Sequence, residues 1–398
     1  MKKTQAREEK RVDYRGASRI TFWEATSIIV GHGVGSGILS VPYLAAHNSV
    51  REILLIAALC YAFNLVLHLI IAELSYNNYG AQFIRCMDQE LFGGRSGMKK
   101  FLTWGAFITL GASVIFNISA FMTGAAAVFR TWLGLPDWVG ILLFYVLGSG
   151  VVFCGLKLVG FCEKIAVGTM LIVGGILAEA GLLGQLQPLP GGWHGLNNAM
   201  ALFGMIAFSL SAVMSTPQVV KGLQGEVKSI RRAIATGLAV NVGMILVVAF
   251  VTMLCVGSEN ITQDGALVDM SKYLGGWVSI LGYLFTLLAL ATSFWANALN
   301  LRDIIHEQLK ADVRLCWLAA TLPCFLIAMF FDNTFVGFTR FASIVQVATG
   351  VGIVMAYFYS RKRAGQAKVA GWLGKPVLQV TVMLCTLLAS LGALMPVK

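Results

Sequence analysis

The chain has 398 residues, 57% hydrophobic and only 12% charged, with a mean hydropathy of +0.76. Soluble domains carry about 25% charged residues, so this composition excludes one and indicates an integral membrane protein. The formal net charge of +11 invites a nucleic-acid reading, which the placement of the charges excludes.

Residues 1–20 are a polar tail, expected on the cytoplasmic side. The tail is charged (Lys2, Lys3, Arg7, Glu8, Glu9, Lys10, Arg11) and the apolar run after it is too long for a signal-peptide core, so no cleavable signal is expected. Eleven apolar stretches of membrane-spanning length follow: 21–46, 53–73, 101–129, 138–156, 163–184, 198–222, 232–257, 277–301, 314–331, 335–359 and 376–396. Asp332, Asn333 and Thr334 alone separate the ninth from the tenth.

The first span contains Gly31-His32-Gly33-Val34-Gly35-Ser36-Gly37, with Pro42 soon after. Each Gly costs a helix interior roughly 1 kcal/mol against Ala, and Pro about 3 kcal/mol. Irregular backbone at membrane depth is tolerated only where it faces protein or a water-filled cavity. A break in this helix, at a mid-membrane binding site, is therefore expected. The connection after the second span, with Phe83, Ile84, Met87 and Leu91, predicts a short amphipathic helix on the cytoplasmic face. The sixth span runs through Ser209, Ser211, Ser215 and Thr216 to Pro217, where the proline predicts a second break. Two broken helices five spans apart are the sequence mark of an inverted repeat. The expected architecture is all-α: a 5+5 inverted repeat over 21–184 and 198–359, with helices 1 and 6 broken, plus an additional helix at 376–396.

With the N-terminus inside, 25 of the 30 Lys and Arg fall in cytoplasmic segments. That asymmetry is the positive-inside rule. It accounts for the basic charge as topology, leaves no nucleic-acid partner to explain, and places the C-terminus outside. The eight cysteines form no CxxC or metal spacing and read as small buried hydrophobes.

From Gly31 to Pro42 the chain resembles the first-helix signature of the amino acid–polyamine–organocation superfamily of secondary transporters. Thr292-Ser293-Phe294 through Leu301-Arg302-Asp303 is similar to the hydroxy/aromatic amino acid permeases and the amino acid/auxin permeases. Pro217 through Lys221, Gly225, Lys228 and Arg231-Arg232-Ala233-Ile234 looks like the common exit from the sixth helix. The resemblance implies alternating access and an amino acid substrate. It places the substrate carboxylate on backbone donors at the first break, Gly33, Gly35, Ser36 and Gly37. A half-helix N-terminus there carries partial positive charge. The ammonium would face the sixth span near Ala207, Phe208, Ser209 and Ser211, with Phe208 as a lid.

The resemblance also implies a sodium site between spans 1 and 8, made by carbonyls of Gly31, Val34 and Ala289 and hydroxyls of Thr292 and Ser293. Hard cations take such oxygens. A proton is the alternative coupling ion, with His32 and Glu179 as candidates because intramembrane ionisable residues are functional by default; His68 is a further one. Glu24 and Glu73 sit near span ends and are expected to cap or anchor. Arg19 and Asp303 form a possible gate pair.

With no acid or base at the breaks except His32, a neutral zwitterion fits better than a charged substrate. The expected protein is a symporter of a neutral amino acid, aromatic or small and hydroxylated, in a bacterial inner membrane, with no cofactor beyond the coupling ion. Its expected partners are the substrate and the lipid bilayer; the sequence sets no oligomeric state. The alternative is a non-transporting receptor or signalling subunit on the same fold. Paired acids, metal spacings and nucleophile motifs are missing from the spans, so an enzyme is not expected.

Overall fold

A computed structural model describes residues 18–35, 37–92, 96–193, 195–262, 266–331, 335–392 and 395. The side chains of Leu39 and of residues 266–268 and 335–349 lie outside the described set, as do Ser36, residues 332–334 and nearly all of the 1–20 tail. Among the described residues there is no β-strand. The helices are α1 (Phe22–Val34), α2 (Gly37–Ala46), α3 (Val50–Asn77), α4 (Phe83–Met87), α5 (Gly97–Leu133), α6 (Asp137–Phe153), α7 (Leu156–Leu183) and α8 (Leu196–Ser209). They continue with α9 (Thr216–Gly222), α10 (Val227–Val256), α11 (Ala266–Leu274), α12 (Gly276–Leu309), α13 (Val313–Phe330), α14 (Phe335–Ala364) and α15 (Pro376–Gly392). Each of the eleven expected spans coincides with one helix or, for the first and sixth, with a pair: α1 with α2, and α8 with α9.

Local chemistry sets several of these ends. Thr21 and Glu24 form a capping box that starts α1: Thr21 N–H donates to Glu24 Oε2 at 2.7 Å and Glu24 N–H to Thr21 Oγ1 at 3.3 Å. Ser49 and Glu52 repeat the device at α3, with Ser49 N–H on Glu52 Oε2 at 2.6 Å. Asp312 caps α13 by accepting from Arg314 N–H at 2.8 Å.

The half-helices occupy the middle of the bundle. α1 packs against α7, α10 and α12, and α2 against α8 and α10. α15 lies over α8 and α3; a Cβ on its Gly392 would overlap the carbonyl oxygen of Met200. Outward faces carry Leu143, Leu147, Ile172, Leu183 and Leu387, all exposed. Such a surface is stable against hydrocarbon and unstable in water.

The helix expected after the second span is present and buries its apolar residues on protein, while the position expected for the second break is corrected. α4 turns inward, with Phe83, Ile84 and Met87 buried against α12 and α14. Its entry is fixed by Glu307 of α12, which accepts from Gln82 N–H at 2.8 Å. α12 has 34 residues, about 50 Å at 1.5 Å per residue. It therefore outruns a hydrocarbon core of about 30 Å and supplies a wall for α4. Pro217, for its part, does not make the second break. It lies in the first turn of α9, where a missing N–H costs nothing.

The end-of-span carboxylates act as anchors. Glu24 accepts from Lys157 Nζ at 2.8 Å, tying α1 to α7. Glu73 accepts from the backbone N–H groups of Lys368, Val369 and Ala370, clamping the segment after α14 to α3. Arg231 of α10 holds the same segment by donating to the carbonyls of Lys368 and Val369. The Arg19–Asp303 pair is not formed: Arg19 is exposed and Asp303 takes Arg302 at 2.7 Å. Five of the cysteines are buried; Cys154 is exposed and Cys162 and Cys385 are half-buried.

Candidate substrate and ion site

The first break is a change of backbone direction at Gly35, which sits at φ +25°, ψ −153°. That region is strained for any residue with a Cβ. α1 ends one residue before it and α2 begins two residues after it, so the C-terminal carbonyls of one half-helix and the N-terminal amides of the other meet there. Ser36, expected to offer both a hydroxyl and an amide, lies outside the described residues.

The second break falls at Leu210–Ala212, between α8 and a single 3-10 turn at Val213–Ser215. Ser211 N–H turns back to the Phe208 carbonyl at 2.9 Å. The N–H of Ala212 donates to Nε2 of the fully buried His68 at 3.0 Å. Because Nε2 accepts, the proton is on Nδ1, which donates to the Asn64 carbonyl at 2.7 Å. Both ring nitrogens of His68 are thus used, and the imidazole works as a neutral strut that fixes the second break to α3.

The two breaks touch. A Cβ on Gly37 would overlap Ser209 Oγ and lie 3.3 Å from Ser209 Cα, and one on Gly33 would lie 2.9 Å from the Ser209 carbonyl oxygen. His32 adds a polar bridge: Nδ1 lies 2.7 Å from Ser215 Oγ, which also accepts from Asn300 Nδ2 of α12 at 3.3 Å. Of the expected substrate contacts, Gly33, Gly35, Gly37, Ala207 and Ser209 are buried at this junction, while Phe208 and Ser211 are half-buried at its edge.

Beside the junction is a cluster of oxygens. Thr292 Oγ1 lies 3.0 Å from both the Gly31 and the Ala289 carbonyls. Ser293 Oγ lies 3.4 Å from the Gly31 carbonyl and 3.5 Å from that of His32. Four of the five expected ion ligands therefore come together. Val34 is buried in the last turn of α1, but the hydroxyls meet the carbonyls of Gly31 and His32 instead of its own.

Glu179 is not brought to this place. It is exposed on α7, and sixteen residues, about 24 Å of helix rise, separate it from the α7 residue that is. That residue is Glu163, fully buried, with its carboxylate against Gly31: a Cβ on Gly31 would overlap Glu163 Oε2 and approach Thr292 Cβ to 2.9 Å. Asn241 of α10, also fully buried, meets Gly33 in the same way. Neither residue stood out in the sequence. Glu163 marked the first residue of the expected fifth span, whereas α7 starts seven residues earlier, at Leu156. The pairing of Lys157 with Glu24 lets the helix continue through a charge that reads as loop.

Residues 19–391 match the model of the tryptophan/tyrosine permease family. The chain belongs to that family. The permease also shares its fold with two solved structures. One is MhsT in complex with L-phenylalanine: TM-score 0.71, 14% identity, covering 95% of this chain and 99% of that one. The other is MHP1, a nucleobase-cation-symport-1 family transporter, in a closed conformation with bromovinylhydantoin bound: TM-score 0.62, 14% identity, covering 96% of this chain and 91% of that one. No curated protein sequence matches the permease. It is a membrane transporter and not an enzyme, on the 5+5 inverted-repeat fold with helices 1 and 6 broken and one helix added.

Proposed function

We propose that the permease carries a neutral aromatic amino acid across a bacterial inner membrane by alternating access, in symport with sodium or a proton. Residues 21–184 and 198–359 are the two repeats that move relative to each other, and 376–396 is an addition to them. The N-terminus is cytoplasmic and the C-terminus outside, in keeping with the placement of Lys and Arg.

The observation that carries this reading is the contact of Gly33 and Gly37 with Ser209. It sets α2's N-terminal amides, suited to a carboxylate, beside α8's C-terminal carbonyls, suited to an ammonium. The polar side chains at the junction are Ser209, Ser211, Ser215 and Asn241, all neutral, with His32 the ionisable residue on the breaks themselves among the described residues. A zwitterion satisfies both helix ends, and the buried carboxylate beside them, Glu163, lies against Gly31 on the side of the oxygen cluster. An aromatic side chain is supported by the family's name and by the L-phenylalanine in complex with MhsT, which has the same fold. The oxygen cluster at Gly31, Ala289, Thr292 and Ser293 would hold the coupling cation.

Labelled tryptophan, tyrosine and serine offered to proteoliposomes under an imposed sodium or pH gradient test the proposal. Accumulation of the aromatic substrates above equilibrium, driven by one gradient, is the expected result. Substrate binding without uptake under either gradient would refute transport and leave the receptor alternative.

A further inference from the structure

Glu163 is the acid among the buried side chains whose polar atoms are all without a hydrogen-bond partner among the described residues. It is fully buried, and neither carboxylate oxygen has a hydrogen-bond partner among the described residues. The basic side chains around it are engaged elsewhere. Lys157, on the same helix, pairs with Glu24 at 2.8 Å. Lys164 is exposed, over the ring of Phe161. Arg302 pairs with Asp303 at 2.7 Å and donates to the Val152 carbonyl at 3.2 Å. His32 is tied to Ser215. A buried carboxylate without a cation or donors carries a penalty of several kcal/mol.

What Glu163 does face is the oxygen cluster. Its carboxylate lies against Gly31, whose carbonyl accepts from Thr292, and the same missing Gly31 Cβ would meet both Glu163 Oε2 and Thr292 Cβ. Glycine at 31 is what lets α7 bring a carboxylate to this spot. The other members of the cluster, carbonyls of Gly31, His32 and Ala289 and hydroxyls of Thr292 and Ser293, are neutral oxygens. Together they can solvate a cation but supply no charge to compensate it.

We propose that Glu163 is the anionic member of the coupling-cation site between α1, α7 and α12, so that one monovalent cation must enter with each substrate. The inference rests on the symport reading above. An empty site leaves a bare buried charge, and an occupied site is neutral. The permease would therefore complete its cycle readily only when loaded, which is the physical requirement of obligatory coupling.

The test uses the full-length protein in proteoliposomes, with two readouts. Counterflow, the exchange of labelled for unlabelled tryptophan without a gradient, reports a folded and mobile carrier. Concentrative uptake under a sodium gradient or a pH gradient reports coupling, and the effective gradient identifies the cation. Glu163→Gln is expected to keep counterflow and to lose concentrative uptake by about 10- to 100-fold, the usual scale for a lost ion-site partner. Concentrative uptake by Glu163→Gln equal to wild type overturns the inference while symport stands. A wild type that exchanges substrate but answers to neither gradient overturns symport and this inference with it. Where Glu163→Gln shows no counterflow, Glu163→Asp takes its place, since it keeps the charge and withdraws it by one methylene. A raised half-saturating concentration of the driving cation then supports the inference, and an unchanged one overturns it.

Discussion

Gly37→Ala tests whether the two breaks work as one site. The new Cβ would overlap Ser209 Oγ and lie 3.0 Å from Ser209 Cβ and 3.3 Å from Ser209 Cα. The hydroxyl cannot swing away freely, because it donates to the Met205 carbonyl at 2.8 Å, a bond worth about 1 kcal/mol. The approach to the Ser209 backbone can be relieved only if the half-helices separate by a few tenths of an ångström. Overpacking of this kind costs about 1–3 kcal/mol, and alanine returns at most roughly 1 kcal/mol of helix propensity. A net loss of ~1–2 kcal/mol in the closed arrangement corresponds to about 5- to 30-fold weaker substrate binding. Equilibrium binding of labelled tryptophan to the purified protein measures it, with Tm recorded in parallel. The decisive comparison is the same substitution in a Ser209→Gly background, where Oγ and Cβ are gone and only the 3.3 Å approach to backbone remains. Most of the loss should vanish there, as expected for residues that touch directly. An equal loss in both backgrounds would refute the contact between the breaks as the basis of the site.

Two further outcomes follow from the surrounding structure. His68→Ala strands the buried Ala212 N–H, at a cost of about 1–3 kcal/mol. Tm should fall and substrate binding weaken, with His68→Gln falling less because its amide oxygen can accept; equal Tm for His68→Ala and wild type would refute the strut. On the connection between α10 and α12, burial alone would raise the Asp269 carboxyl, but Lys272 at 2.8 Å and the donors of Thr262 more than offset this and hold it below the usual carboxylate range. Its folded value lies below its unfolded one. The stability it contributes is therefore present above the ordinary carboxylate range and is lost as pH falls through the folded value. Hydrogen exchange at Thr262 and across residues 266–274 should accelerate at acidic pH in the wild type and already be fast at neutral pH in Asp269→Asn. No difference between the two at neutral pH would refute that anchor.

The spans were legible because hydrocarbon imposes length and composition on each helix separately. The first break was legible for a related reason: glycines at 31, 33, 35 and 37 violate helix propensity within one local stretch. The second break was misplaced to Pro217, because a proline in the first turn of a new half-helix and a proline that ends an old one look alike until His68 and Ala212 are seen together. Glu179 and Glu163 show the same limit more sharply. Both are single carboxylates on one apolar helix, and only the level at which α7 packs along α1 decides which meets Gly31.

The sequence by itself determined the membrane class, the spans, the sidedness expected from its Lys and Arg, and the break at the glycine-rich turn, since each rests on interactions between a local segment and its solvent. The tertiary structure alone decided that Ser209 closes on Gly37, that His68 is spent on an Ala212 amide, and that Glu163 lies against Gly31. Those pairings join residues 132 to 172 positions apart. They depend on which helix faces meet, which hydropathy within a single span does not record.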